Sequence, residues 1–134
     1  MNKAKILIVD DEKEVLEHTQ HFLEKHLVCD ADIALSGEEA LKKIKAAAYD
    51  VVLLDVKMPG LSGIDVLRRL KNDNIKLDVL MMTAYNSRQV GKEVLEEGAL
   101  GCLVKPIPTE KMLEEVKAIL AKKGKLFTNG AGAE

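Results

Sequence analysis

Five polar side chains with complementary chemistry follow short apolar runs in this sequence of 134 residues. Asp10 and Asp11 follow ILIV, Asp55 follows VVLL, Thr83 follows VLMM, and Lys105 follows CLV. Taken singly, each has an ordinary explanation, since aspartates cap helices or begin turns and a lysine can extend to solvent. Taken together, three carboxylates, a hydroxyl and an ammonium indicate one site, provided that the apolar runs end at the same edge of the fold.

The charges of these groups indicate what such a site would bind. Two carboxylates about 5 Å apart repel each other by ~3 kcal/mol at an effective dielectric constant of 20, so a cluster of three needs cations. Lys105 supplies one positive charge, and a divalent metal ion would supply two more. Oxygen ligands favour Mg²⁺. A pocket with Mg²⁺, a lysine, a hydroxyl and a carboxylate nucleophile is equipped to accept a phosphoryl group, and we predict that Asp55 is the acceptor.

The elements that must position these groups are strands and helices in alternation. The apolar runs cover residues 6–9, 28–34, 51–54, 79–82 and 102–104, and their near-continuous hydrophobicity is typical of strands buried on both faces. Amphipathic patterns lie between them; a capping box is predicted at Ser36 and Glu39, and another helix start at Ser62 and Asp65. The fourth helix, at about 87–97, is interrupted by Gly91. The pattern predicts an α/β fold with a doubly wound five-stranded parallel sheet and helices on both faces.

Composition narrows the class of protein. The length fits one domain, and we predict a domain over residues 1–123 with a flexible tail over 124–134. A net charge of −2 and 3% aromatic residues give no reason to expect nucleic-acid binding. We see no signal peptide and no apolar run long enough to span a membrane, so a cytoplasmic protein with reduced thiols at Cys29 and Cys102 is expected.

Four sequence blocks together resemble the receiver domain of two-component response regulators. They are ILIVDDE, VVLLDVKMPGLSG, MMTA and GALGCLVKP, and the resemblance covers residues 5 to about 121 in the family's order and spacing. It implies a flavodoxin-like (βα)₅ fold with strand order 2-1-3-4-5. It also implies a signalling switch, not a turnover enzyme, in which Asp55 takes a phosphoryl group from a sensor histidine kinase, a phosphotransfer protein or a small phosphodonor.

The resemblance also implies a role for each residue of the metal site. Asp11 and Asp55 would ligate Mg²⁺ directly, and Asp10 would do so largely through water. The backbone carbonyl of Lys57 would complete the protein ligands.

The remaining implied roles concern the phosphoryl group and the response to it. Thr83 would hydrogen-bond the phosphoryl oxygens, Lys105 would pair with them, and the Lys105–Pro106 peptide bond would be cis. Receivers usually carry Tyr or Phe three residues before the lysine, where this chain has Cys102. Because Cys102 has no ring to turn inward, Thr83 would have to act on the output face through packing or backbone shifts.

Two further positions, Lys57 and Tyr85, follow Asp55 and Thr83 by two residues each. We expect their side chains to flank the path of attacking water and to set the lifetime of the phosphoryl group, although ordinary surface roles fit them equally well. The output face would comprise the fourth helix, fifth strand and fifth helix. Its partner would be a protein effector or, after phosphorylation, a second copy, with no direct binding of nucleic acid or membrane.

Several alternatives remain at the level of the sequence. A histidine phosphotransfer protein would use His18 or His21, but such modules are helical bundles. A flavin carrier would need a Ser/Thr/Gly-rich loop where this chain has acidic residues. An aspartyl-phosphate phosphatase would usually carry an acid at position 57. Within the favoured family, the chain is either a stand-alone receiver or the receiver of a larger regulator or hybrid kinase.

Overall fold

The order of the strands determines which loops meet at the predicted site. The structure is a computed structural model that describes residues 3–84 and 88–129. Within these ranges, five strands alternate with five helices, as predicted. The elements are β1 (Ala4–Val9), α1 (Lys13–His26), β2 (Cys29–Ala34), α2 (Gly37–Ala46), β3 (Val51–Asp55), α3 (Gly63–Asn72), β4 (Val79–Thr83), α4 (Arg88–Glu96), β5 (Gly101–Val104) and α5 (Thr109–Lys122).

The five strands form one parallel sheet in the order β2-β1-β3-β4-β5, which confirms the predicted flavodoxin-like arrangement. The chain winds outward in one direction from β1 to β2 and in the other from β3 to β5. The carboxyl ends of the neighbouring strands β1 and β3 therefore border the crevice where open α/β sheets bind ligands.

The sheet has an apolar core on each face, which explains why its strands are apolar almost throughout. Alternate residues of each strand point to opposite faces, so Leu7 and Leu54 enter one core while Ile6 and Leu53 enter the other. Helices α2, α3 and α4 cover the first core, and α1 and α5 cover the second.

Helix starts depend on side chains that the sequence had indicated. Ser62 accepts a hydrogen bond from the backbone N–H of Asp65 (3.1 Å), and Asp65 accepts one from that of Ser62 (3.0 Å), which makes a complete capping box. Ser36 caps α2 through the N–H of Glu39, but the Glu39 carboxylate accepts from the N–H of Leu35. The predicted box at Ser36 is therefore only half formed, because its carboxylate turns to a neighbouring backbone group.

The segment after α5 packs against the rest of the fold instead of fraying. The N–H of Lys125 donates to the carbonyl of Leu120, and Gly124 has a φ of 68°, so α5 ends in a Schellman turn. Phe127 then accepts a hydrogen bond from the N–H of Val28, and the Asn129 amide donates to three carbonyls at the end of α1. Residues 124–129 are thus held by backbone groups left open at a helix terminus, and positions 130–134 lie outside the described residues.

Two simpler expectations concern cysteines and membrane spans. Cys29 and Cys102 are free thiols, buried and half-buried respectively. Across the described ranges, the helices are too short or too polar to cross a bilayer.

Candidate functional site

The polar residues predicted to act together do meet at the carboxyl edge of the sheet. Asp10 and Asp11 follow β1, Asp55 and Thr83 end β3 and β4, and Lys105 follows β5. One carboxylate oxygen from each aspartate lies within 4.8 Å of those of the other two. Among residues 3–84 and 88–129, this is the one cluster of three or more acidic, histidine or cysteine side chains close enough to share a metal ion.

Lys105 joins the two buried members of the cluster. Its Nζ lies 2.7 Å from Oδ2 of Asp10 and 3.4 Å from Oδ2 of Asp55. The other oxygen of Asp10 accepts a hydrogen bond from the N–H of Glu12 at 3.1 Å. The backbone N–H of Lys105 donates to the carbonyl of Thr83 at 2.7 Å, which ties β5 to the end of β4, and the Lys105–Pro106 peptide bond is cis.

The three carboxylates differ in their access to solvent. Asp10 and Asp55 are 0% and 5% exposed, whereas Asp11 is exposed. A ligand from solvent can therefore reach the cluster on the side of Asp11 while the sheet encloses the other two groups.

The surroundings make the Asp55 carboxyl group harder to ionise than a free aspartate. Burial and the nearby Asp10 raise the pKa of Asp55 from 3.8 to about 6, against the opposing effects of Lys105 and of a hydrogen bond from the backbone N–H of Lys57. Burial acts to lower the pKa of Lys105, but its hydrogen bond to Asp10 and the charges of Asp55 and Asp10 raise it overall. A further positive charge bound at the site would therefore favour the ionised form of Asp55.

The residues predicted to respond to phosphorylation or to control its lifetime differ in their exposure to solvent. Thr83 is 2% exposed at the end of β4. Cys102 lies half-buried against the core that α2, α3 and α4 cover, and burial raises the pKa of its thiol. The side chain of Lys57 is exposed. Tyr85, the other predicted modulator, lies outside the described residues.

Gly63 is a positioning residue that the sequence reasoning missed. A Cβ there would lie 2.3 Å from the backbone carbonyl oxygen of Asp55 and 2.9 Å from the Cα of Val56, distances that real Cβ atoms essentially never reach. The N–H of Gly63 also donates to the carbonyl of Val56 at 2.8 Å. Only a glycine lets the start of α3 pack this closely on the end of β3; the sole signal for it was a glycine directly after a helix cap.

The remaining candidates stay apart from this cluster. His18 and His21 are both exposed on α1. The position before α1 is occupied by Glu12 without a side-chain capping bond, so Asp11 does not take the N-cap position that its sequence neighbourhood allowed.

Comparison with known proteins identifies the family. The sequence profile described as the response regulator receiver domain matches residues 6–117. The chain belongs to this family. Receiver domains are signalling switches that interact with kinases and effectors.

Individual relatives agree with this assignment. The alkaline phosphatase synthesis transcriptional regulatory protein PhoP of Bacillus subtilis (strain 168) is 38% identical over 122 residues, which are 91% of this chain and 50% of PhoP. The chain spans about half the length, or less, of the curated relatives it matches.

Solved structures show the same fold. The receiver domain of the Francisella response regulator 1452 has a TM-score of 0.85 and 30% identity, covering 90% of this chain and 99% of that one. The CheX-CheY-BeF3-Mg²⁺ complex from Borrelia burgdorferi has a TM-score of 0.79 and 32% identity, covering 87% of this chain and 89% of that one.

Proposed function

We propose that this receiver domain is a phosphorylation-dependent switch in which Asp55 accepts a phosphoryl group from a sensor histidine kinase or a phosphotransfer protein. The observation that carries the proposal is the convergence of three carboxylates and the Lys105 ammonium at one edge of the sheet. The receiver unit would comprise residues 1–123. In the transfer, an oxygen of Asp55 forms a bond to phosphorus while the bond from phosphorus to the donor histidine nitrogen breaks, and the electron pair returns to that nitrogen.

The donor set fits Mg²⁺, because it consists of carboxylate oxygens and reaches solvent at Asp11. Asp11, Asp55 and the backbone carbonyl of Lys57 would hold the ion directly, and Asp10 through water. Once bound, Mg²⁺ would neutralise the charge that the phosphoryl oxygens bring into an acidic pocket. A related protein, the CheX-CheY complex named above, was solved with Mg²⁺ and BeF3.

The remaining residues of the site would orient and stabilise the transferred group. Lys105, already 3.4 Å from Asp55, needs only to exchange its contact with the carboxylate for one with a phosphoryl oxygen. The Thr83 hydroxyl would donate to another oxygen. Lys57 and Tyr85 would control the approach of water and hence the lifetime of the acyl phosphate. The chain would catalyse only its own phosphorylation and dephosphorylation.

The output would be a change in the surface formed by α4, β5 and α5. Arg68 on α3 forms ion pairs with Glu93 of α4 (3.3 Å) and with Glu97 just after α4 (2.7 Å). A shift of Thr83 that moves α4 would therefore have to change these contacts. With Cys102 in place of an aromatic residue, the shift would pass through packing. A protein effector or a second copy would bind this surface; no direct contact with nucleic acid is proposed for this domain, although longer relatives are transcriptional regulators.

The test is labelling by acetyl phosphate, followed by intact-protein mass spectrometry. The parent protein should gain one phosphoryl group in Mg²⁺ and lose this capacity in EDTA, and Asp55→Asn should gain none. Asp50→Asn is a matched control, because Asp50 is also buried and paired with a lysine (Lys125, 3.0 Å) but lies just before the start of β3. Equal labelling of Asp55→Asn and the parent would refute the proposal.

A further inference from the structure

Of the five helices that the structure describes, α4 is the least deeply packed. Only Val94 of its nine residues is buried, whereas each of the other helices buries at least three. Leu95 is 53% exposed, and a Cβ on Gly91 would meet no atom of the described residues within 4 Å apart from the helix's own backbone. Apolar packing alone therefore fixes the position of α4 only weakly.

A network of ion pairs joins α4 to α3 as well. Arg68 donates from Nε to Glu97 at 2.7 Å and from Nη2 to Glu93 at 3.3 Å, so one guanidinium contacts two carboxylates that lie one turn apart. Lys71 adds a second cation, with its Nζ 3.8 Å from the other oxygen of Glu97. The hydrogen bond from Arg68 lowers the pKa of Glu97. An isolated exposed ion pair contributes little, but a network built on a guanidinium of fixed geometry can restrain a helix.

The start of α4 stands beside the loop that follows Asp55. Val90, in the first turn of α4, faces the segment between β3 and the start of α3 across an open pocket of about 350 Å³. The other residues that line this pocket are Val56, Lys57, Ser62 and Ile64. This space leaves room for the first turn of α4 to move relative to the loop that carries the phosphoacceptor.

We propose that Arg68 is a positioning residue whose ion pairs hold α4 in the arrangement described above, and that this restraint limits how readily the domain adopts its phosphorylated arrangement. The inference rests on the proposed function, in which a shift of Thr83 moves α4. A movement that separates Arg68 from Glu93 and Glu97 has to break these pairs, so the pairs oppose it. By thermodynamic linkage, removing the restraint strengthens the binding of a phosphoryl analogue at Asp55.

The experiment measures the dissociation constant of beryllofluoride, a phosphoryl analogue, by NMR titration in saturating Mg²⁺ at low and high salt. It compares the parent with Arg68→Ala and with a matched control, Arg69→Ala. Arg69 is the next residue of α3 and is also exposed, but it forms no ion pair with α4 within the described residues. Both variants lose one positive charge, so a general effect of charge on the ligand would appear in both.

We expect Arg68→Ala to bind beryllofluoride roughly two- to fivefold more tightly than the parent at low salt, the range that an exposed ion-pair network supports. The difference should shrink at high salt, which screens the pairs in the parent. Before any ligand is added, the amide signals of α4 in this variant should already lie closer to those of the beryllofluoride-bound parent. Arg69→Ala should behave like the parent.

A second variant, Glu93→Gln/Glu97→Gln, removes the same pairs but changes the net charge in the opposite direction. It should also tighten binding, and adding Arg68→Ala to it should produce no further gain, because the pairs are already lost. Unchanged or weaker binding by Arg68→Ala, or an equal gain in Arg69→Ala, would overturn the inference. Failure of the parent itself to bind beryllofluoride would refute the proposed function, and this inference with it.

Discussion

At the scale of single residues, the environment of Asp55 makes the free energy of unfolding depend on pH. Burial and the charge of Asp10 raise its pKa from 3.8 to about 6. The folded protein therefore binds a proton at this residue over a range where the unfolded chain has released it. Between these two pKa values the stability falls as the pH rises, and the penalty is fully present above about pH 6.

We accordingly predict that Asp55→Asn stabilises the metal-free protein at pH 8 by about 1–2 kcal/mol, because it removes this penalty, and by less at pH 5. The range lies below the full 1.36 kcal/mol per pKa unit, since water reaches the pocket beside Asp11. Urea unfolding in EDTA at the two pH values measures both differences. A stability difference that does not change with pH would contradict the prediction.

The residue scale also shows why the polar members of the site were predictable and others were not. Asp10, Asp55, Thr83 and Lys105 stand next to apolar runs, and parallel strands bring such positions to one edge. The N–H groups of Glu12 and Lys57 that bond to the aspartates leave no mark in the sequence, because every residue except proline carries one. Their contribution depends on loop geometry alone.

At the scale of elements, the junction of β3 and α3 depends on a close approach at Gly63. We predict that Gly63→Ala destabilises the fold by about 2 kcal/mol, because the new Cβ overlaps the backbone of Asp55 and Val56 and forces β3 and α3 apart. Since the carbonyl that it overlaps belongs to Asp55, labelling by acetyl phosphate should also slow. Urea unfolding measures the first effect, and a labelling time course measures the second.

Gly91→Ala is the control for this substitution. Gly91 lies within α4, and, apart from the helix's own backbone, no atom of the described residues stands within 4 Å of its added Cβ. Alanine should therefore stabilise the protein by about 0.5–1 kcal/mol through helix propensity. Similar effects of the two substitutions would mean that packing at Gly63 is looser than the distances imply.

The elements themselves followed from hydrophobic patterning, with strand ends shifted by at most two residues. β2, the weakest pattern, begins at Cys29, one residue after the expected start, and the N–H of Val28 just before it donates to the carbonyl of Phe127. The side-chain hydrogen bonds to the backbone of β2 could not be predicted. Gln20, Glu24 and Lys43 have the polarity of solvated helix faces, and only the crossing of α1 and α2 over the strand brings them to its backbone.

At the scale of the whole molecule, the chain after α5 fastens onto the end of α1. The Asn129 amide donates to the carbonyls of Glu24, Lys25 and Leu27 at 2.9, 3.0 and 3.2 Å. We predict that Asn129→Ala lowers the free energy of unfolding by about 1 kcal/mol, because helix-terminal carbonyls lose their donor. Hydrogen exchange in the last turn of α1 should quicken as well.

Thr128→Ala provides the comparison for Asn129→Ala, since Thr128 is an exposed neighbour that takes part in the same segment through its backbone. It should change thermal stability by much less. If both variants unfold at the same temperature as the parent, the contacts of Asn129 do not stabilise the fold. This docking escaped the sequence analysis because it joins residues more than 100 positions apart without any periodic signal.

The continuous sheet separates the two apolar cores completely enough to have an evolutionary consequence. Side chains on the two faces of the sheet pack against different helices. A change in side-chain volume near α4 should therefore alter the packing of α1 and α5 only through shifts of the strand backbones. Substitutions that change side-chain volume can therefore accumulate in the half that faces α4 while the packing of α1 and α5 on the other half is retained.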